Sequence, residues 1–114
     1  MYYQQTPIYS STKLLLQYII VKTFKMKSEW KYTVTRDIRD MVYNLFRDIQ
    51  YANRQTDRVQ KIRWLEKFQA DFGIVEVQIN ILYEEGIWND KTRSELSEIL
   101  VSIAKQVTAW RKKT

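Results

Sequence analysis

Apolar side chains recur at intervals of three and four residues along most of this chain, which is the period of an α-helix. Segments 34–53 and 90–111 each carry one apolar stripe on an otherwise polar surface, whereas segments 7–26 and 57–85 are apolar over broader faces. Short links force consecutive helices to run antiparallel. The sequence therefore predicts an all-α fold: an antiparallel up-down four-helix bundle that occupies residues 1–114 as a single domain.

Residues that favour helix ends mark the predicted boundaries. Thr6-Pro7 is typical of an N-cap followed by proline at the first helical position, and Asp57 and Asn89 precede the third and fourth helices. Gly86 followed by Ile87 is typical of a Schellman helix end, in which the residue after the glycine packs back onto the last turn. These signals fall between the apolar segments, as the four-helix prediction requires.

One part of the third helix has the pattern of a β-strand. Residues 74–82 alternate between apolar and polar side chains. The inner-face register of the helix nevertheless continues through this segment, and Gly73 is the lone turn signal between Arg58 and Gly86. We therefore predict that the segment is helical.

Histidine and cysteine are both absent from the chain, which narrows its chemistry. Without cysteine there can be no disulfide, thiol nucleophile or thiolate metal site, and without histidine the commonest general base and metal ligand are missing. No glycine-rich phosphate loop occurs either. We therefore expect a protein that is not an enzyme and has no catalytic residues, no metal site and no cofactor.

The longest apolar stretch, Leu14 to Val21, is interrupted by Gln17 and is far too short to cross a bilayer. It is not followed by the small-residue cleavage site of a signal peptide. We therefore expect no membrane partner and a cytoplasmic location.

The net charge of +6 is distributed unevenly along the sequence. The excess of Lys and Arg falls in the first and last quarters. Because the first and last helices of an up-down bundle are neighbours, these two quarters can form one basic surface. Such a surface suits an anionic partner.

Arginine and tyrosine side chains follow one another along the outer face of the second predicted helix. Guanidinium groups bind phosphate through paired hydrogen bonds, and tyrosine rings can stack on bases. The alternative is a solvated face in which aspartates pair with the arginines, for example Asp40 with Arg36. The candidate binding residues are Arg36, Arg39, Tyr43, Arg47, Tyr51 and Arg54.

Two further basic clusters lie at the start of the third helix and in the last residues of the fourth. Only a short turn separates the first cluster from Arg54, so this end of the hairpin is predicted to be strongly basic. The alternative is again a solvated face, and cations at a helix C-terminus also complement the helix dipole. The candidates are Arg58, Lys61, Arg63 and Lys67 in the first cluster and Arg111, Lys112 and Lys113 in the second.

The chain has more large apolar residues than the inner stripe of one small bundle can hold. The third helix carries a second apolar line beside its core-facing one. Exposed apolar patches of this kind mark interfaces, so we expect self-association; the alternative is a wider core. The predicted interface residues are Trp64, Ile74, Val77, Ile81 and Trp88, and further surplus residues are Phe24, Trp30, Tyr83 and Ile87.

Four short motifs give the chain a resemblance to a known family of four-helix bundles. In their order and spacing, over nearly the whole chain, they resemble the accessory variability determinants that accompany diversity-generating retroelements. One departure is Phe24-Lys25-Met26-Lys27, where relatives often have a Phe-Pro-basic turn. The motifs are Tyr32-Thr33-Val34, Ile49-x-x-Ala52-Asn53, Leu82-x-x-x-Gly86 and Ile103-x-x-Gln106-Val107-x-x-Trp110-Arg111-Lys112.

The resemblance implies a homopentameric, barrel-like assembly with a positively charged surface and no catalytic residues. It implies binding to the retroelement's reverse transcriptase and to RNA or an RNA/DNA hybrid, in support of mutagenic copying of a template repeat into a target gene. A related group of bundles, encoded within ribosomal-RNA intervening sequences, is the alternative. That alternative predicts an interaction protein that binds protein partners only.

Overall fold

The computed structural model describes residues 6–26 and 33–114, which form four α-helices joined by short links. The described ranges contain no β-strand, so the predicted all-α fold with four helices is confirmed. The predicted loop over residues 27–32, with Trp30, lies outside the described residues. The helices are α1 (Pro7–Phe24), α2 (Val34–Arg54), α3 (Arg58–Glu84) and α4 (Asp90–Lys113).

Each helix packs against two others in a ring. The α2–α3 contact is the most extensive; α1 packs against α2 and α4, and α4 packs against α3. Tyr9, near the start of α1, lies edge-on to Phe46 in the second half of α2, with ring centroids 5.5 Å apart. Further along α1, the Tyr18 hydroxyl donates to Glu95 near the start of α4. Contacts that join the beginning of one helix to the end of another are those of antiparallel neighbours.

All four helices contribute side chains to one hydrophobic core. Two threonines of α1 also lie inside it, and each hydroxyl donates to the carbonyl oxygen four residues earlier. Thr12 donates to Ile8 at 2.7 Å and Thr23 to Ile19 at 2.6 Å, so neither hydroxyl needs a partner from another helix. The largest fully buried side chains include Leu15, Ile38, Leu45, Ile49, Leu65, Phe68, Ile79, Leu82, Leu96 and Ile103.

The strand-like segment 74–82 is helical and belongs to α3, as predicted. Val75 and Ile79 point into the core and are at most 2% exposed, whereas Ile74 and Val77 are 45% and 57% exposed. Two apolar stripes on different faces of one helix therefore produce an alternation that resembles a strand. None of the helices in the described ranges is both long and apolar enough to cross a membrane.

Side-chain caps begin three of the helices at the positions that the sequence indicates. In each case a side-chain oxygen accepts the backbone N–H three residues later, which has no acceptor within its own helix. The pairs are Thr6 with Tyr9 at 3.3 Å, Asp57 with Gln60 at 3.2 Å and Asn89 with Thr92 at 3.0 Å.

A Schellman motif centred on Gly86 ends α3, as predicted. Gly86 has a φ of 75°, in the left-handed region that glycine adopts without steric cost. Its N–H donates to the Tyr83 carbonyl at 3.0 Å, and the Ile87 N–H donates to the Leu82 carbonyl at 2.9 Å. This reversal returns Trp88 to the core, where the side chain is only 5% exposed.

The two glycines predict opposite effects for the same substitution. Gly86→Ala should lower the free energy of unfolding by about 1–2 kcal/mol, because a Cβ is disfavoured at a left-handed φ. Gly73→Ala, within α3 and with open space around an added Cβ, should raise it by about 0.5–1 kcal/mol. Urea unfolding of both variants and the wild type measures the difference. Shifts of the same sign would contradict this description of the helix end.

Candidate functional site

One end of the bundle brings together two basic clusters that are far apart in the sequence. At this end α2 stops, α3 starts and α4 stops. Arg58 Nε donates to the Thr114 carbonyl oxygen at 2.8 Å, and Arg111 Nη2 donates to Glu66 Oε1 at 2.8 Å. The cluster at the start of α3 and the cluster at the end of α4 therefore form one surface. We call this surface the basic end, residues 54–69 and 110–114.

The basic end accounts for the whole net charge of the protein. Its two segments contain eight Lys and Arg residues and two acidic residues, Asp57 and Glu66. The rest of the sequence contains eleven residues of each sign and is therefore neutral overall. A modest total of +6 thus becomes a concentrated positive potential at one end of the bundle.

Several cations of the basic end are open to a partner. Arg54 lies over the ring of Tyr51, 5.7 Å from its centroid, and Tyr51 stacks on Trp64 with a centroid distance of 4.6 Å. This aromatic pair positions the guanidinium beside the α2–α3 turn. Five cations of the basic end form neither an ion pair nor a hydrogen bond to the backbone through their side chains in the described part of the chain. They are Arg54, Lys61, Arg63, Lys112 and Lys113.

Two other predicted binding residues are already paired with acidic side chains: Lys67 with Asp71 at 3.1 Å and Arg111 with Glu66 at 2.8 Å. A partner would have to replace these contacts, so both are weaker candidates for binding. Arg47 lies 3.7 Å from Asp48, but that carboxyl group is buried and does not belong to a solvated face. The Arg36–Asp40 pair of the alternative interpretation is not formed within the described ranges.

Arg36 and Arg39 belong to the predicted stripe on α2 but lie far from the basic end. The rise of the helix between Arg39 and Arg54 is about 22 Å, at 1.5 Å per residue. The stripe is therefore split into two groups, and the basic end uses only its C-terminal part.

The lysines at the end of α1 do not join the basic residues at the end of α4. Lys22 and Lys25 follow Tyr18, whose hydroxyl contacts Glu95 near the start of α4. The antiparallel course of α1 and α4 places these charges at opposite ends of the bundle. Lys91 and Arg93, also in the last quarter, lie at the start of α4, near the end of α1, so the expected shared surface stays a prediction.

Trp110 separates two grooves at the basic end. An apolar groove of about 340 Å³ lies between the start of α1 and the last turns of α4. A more polar groove, also of about 340 Å³, lies between the α2–α3 turn and the end of α4 and is lined by Arg58 and Lys61. Trp110 and Lys113 line both grooves. Trp110 itself is half-buried and packs against the core.

A buried pair of carboxyl groups lies where α2 packs against α3, and sequence reasoning missed it. Asp48 is fully buried, and neither of its oxygens accepts a hydrogen bond from a donor in the described part of the chain. Asp71 is 8% exposed and is held by Lys67. The sequence pattern assigns Asp48 to the polar positions of α2. Its spacing of three and four residues from the core residues Leu45 and Ala52 is the sequence feature that could have predicted its burial.

The two carboxyl groups have pKa values that move in opposite directions. Burial, a hydrogen bond with Asp71 and the charge of Asp71 raise the pKa of Asp48 to about 8. Burial also acts to raise the pKa of Asp71, but the hydrogen bond from Asp48 and the nearby Lys67 outweigh it, so that the pKa is lowered. Asp48 therefore holds a proton near neutral pH and donates it to the Asp71 carboxylate.

The predicted oligomer interface is only partly exposed. Ile74, Val77 and Ile81 are 45–57% exposed and form an apolar line on the outer face of α3, and Trp64 is half-buried under Tyr51. The assignment of Trp88 to this surface is wrong, because the turn after Gly86 places the indole in the core.

No protein-family model, curated protein or solved structure matches this chain. The resemblance to accessory variability determinants therefore stays a prediction from sequence motifs. Within the described ranges no group of three or more acidic side chains is placed to hold a metal ion. The geometry and charge of the basic end are the observations from which a function can be argued.

The buried carboxyl pair predicts how stability depends on pH. The folded protein keeps the Asp48 proton up to about pH 8, whereas the unfolded chain loses it near pH 4. Between these values the folded state binds more protons, so the free energy of unfolding should fall with rising pH, with a limiting contribution of about 1.4 kcal/mol per pH unit. Asp48→Asn should remove this contribution, as measured by urea unfolding at pH 5, 6, 7 and 8.

Asp40→Asn, at an exposed position of the same helix, is the control for the loss of a carboxyl group as such. A free energy of unfolding that falls with pH in parallel for Asp48→Asn and the wild type would rule out the proton shared by Asp48 and Asp71.

Proposed function

We propose that this chain is a non-catalytic accessory protein that binds nucleic acid through its basic end. The concentration of the entire net charge on one surface carries the proposal. Phosphate groups are the natural partners of such a surface, because Lys and Arg that replace condensed counterions along a strand release them into solution. The open cations beside the α2–α3 turn supply these contacts.

The motif resemblance supports a role for this activity in a diversity-generating retroelement. In that setting the partners are the reverse transcriptase and template RNA, and the basic end would hold RNA while other faces contact protein. The homopentameric assembly implied by the resemblance is supported by the exposed apolar line of Ile74, Val77 and Ile81. A ring of subunits would repeat the basic end several times and strengthen the field that attracts a long polyanion.

The second candidate is an interaction protein of the intervening-sequence type that binds protein partners only. The outer face of α1 favours it, because Leu14, Val21 and Phe24 are 52–78% exposed. Apolar residues exposed on one helix are typical of protein–protein contact. Substitution of the cations at the basic end distinguishes the two candidates, because only the first candidate needs them to bind nucleic acid.

Replacing Arg54 and Arg58 by Glu should weaken binding to a 20-nucleotide single-stranded RNA about tenfold or more at low salt. It should also make the dependence of log Kd on log salt concentration shallower by about 1–2, since each lost phosphate contact removes about 0.7. Fluorescence anisotropy between 50 and 200 mM KCl measures both quantities. The matched control is the Arg36→Glu/Arg39→Glu variant, with the same change of charge at the far end of α2.

Nucleic-acid binding that is insensitive to salt, or that survives the Arg54/Arg58 reversal unchanged, would exclude the basic end as the binding surface. Such a result would favour the protein-only candidate.

Self-association should depend on the exposed line of α3. Sedimentation velocity at micromolar concentration should show an assembly larger than the 13.9 kDa chain, and Val77→Asp should dissociate it because an unpaired charge is costly in an apolar contact. Val21→Asp is the control: Val21 is 54% exposed on α1, against 57% for Val77. A wild-type protein that sediments as a monomer would contradict self-association, and dissociation by Val21→Asp alone would place the interface on α1.

A further inference from the structure

The side chain of Trp110 joins an apolar surface to a cationic one. Its apolar groove has walls from Pro7 and Ile8 of α1 and from Ala109 of α4. One wall is fixed by Gln106, whose amide nitrogen donates to Ser11 Oγ at 2.8 Å and to Ser102 Oγ at 3.0 Å. Both grooves have volumes in the lower part of the range of small-molecule sites.

The second groove offers hydrogen-bond donors and positive charge. Arg58 uses Nε to contact the Thr114 carbonyl, which leaves its terminal nitrogens for another acceptor. Lys61 and Lys113 line the same groove and form no ion pair in the described part of the chain. The Thr114 hydroxyl donates to the Trp110 carbonyl at 2.9 Å, which ties the last turn of α4 in place beside them.

An apolar aromatic platform beside a cationic groove matches the two chemical parts of a nucleotide. A base has two apolar faces, and its phosphate carries negative charge one sugar away. We propose that the paired grooves around Trp110 bind one unpaired nucleotide of a single-stranded nucleic acid, with the base stacked on the indole and the adjoining phosphate held by Arg58, Lys61 and Lys113. This inference rests on the proposed nucleic-acid binding and specifies its substrate class.

Single strands are preferred over duplexes for a physical reason. The bases of a duplex are stacked on one another, and a base must leave that stack before it can lie against a protein aromatic ring. The phosphates of a duplex remain accessible to the open cations of the basic end. Substitution of Trp110 should therefore weaken the binding of single strands only. Substitution of the surrounding cations should weaken the binding of single strands and duplexes alike.

Binding of a 12-nucleotide single-stranded RNA and of a blunt-ended 12-base-pair RNA duplex, measured by fluorescence anisotropy at 100 mM KCl, tests the inference. Trp110→Leu should weaken single-strand binding about tenfold, the effect of losing one stacked base, and change duplex binding less than about twofold. Trp110→Phe keeps an aromatic face and should retain single-strand affinity to within about threefold. The Phe variant also serves as the test if the Leu variant fails to fold.

Trp88→Leu is the control, because it removes an indole from the core at the other end of the bundle, away from both grooves and from the open cations. It should change neither affinity by more than about twofold. Lys113→Glu should weaken both ligands, whereas Lys91→Glu, with the same charge change at the start of α4, should weaken them less.

If Lys113→Glu weakens binding but Trp110→Leu does not, the stacking site is wrong and the proposed function stands. If the wild type binds neither RNA, both the inference and the proposed function are wrong. Binding of a 12-residue poly-glutamate peptide with the same loss on Trp110→Leu would show that the grooves take an acidic peptide, and would overturn the inference.

Discussion

The packing of α2 against α3 holds the bundle together and also creates its basic end. This contact is the most extensive between any two helices, and a short turn joins its two partners. The turn places Arg54, at the end of α2, close to Arg58 and Lys61 at the start of α3. The packing that buries the apolar stripes of the two helices therefore also brings these cations together. The carboxyl groups of Asp48 and Asp71 lie within the same contact. They are compatible with burial because one proton is shared between them and Lys67 neutralises the remaining charge.

The concentration of positive charge opposes folding, because like charges that are brought together repel one another. The structure offsets only part of this repulsion, through the contacts of Arg111 with Glu66 and of Lys67 with Asp71 and through the cap at Asp57. The other cations form no ion pair in the described part of the chain, and one of them, Arg54, lies over the ring of Tyr51. A local arrangement that reduces stability in this way is typical of a functional surface.

The four helices differ in how many of their faces are apolar. α2 and α4 have one apolar face and a charged outer one, as a helix at the surface of a bundle should. α1 and α3 have apolar side chains on two faces, of which the core covers only one. The uncovered faces contain Val21 and Phe24 on α1 and Val77 and Ile81 on α3. This difference is the physical reason to propose a protein partner or further copies of the chain in addition to the proposed nucleic acid.

The sequence by itself determined the elements of this fold. Periodic apolar positions gave the four helices, and local signals such as Thr6, Asn89 and Gly86 gave their ends, because caps and left-handed glycines depend on neighbouring residues alone. The clean stripe of α2 also separated its apolar inner side chains from its charged outer ones, with the buried Asp48 as the exception. Even the strand-like segment of α3 could be assigned from the continuity of its register.

Only the tertiary structure decided which charges act together. The antiparallel course of the helices united Arg58 with the end of α4 and placed Lys22 and Lys25 at the other end of the bundle. A position along a helix axis becomes a position relative to other helices only when those neighbours are placed. It moved Trp88 from the expected surface into the core. It also gave Asp48 a second carboxyl group as its neighbour. Pairing across helices depends on register and direction, and a pattern within one helix does not contain that information.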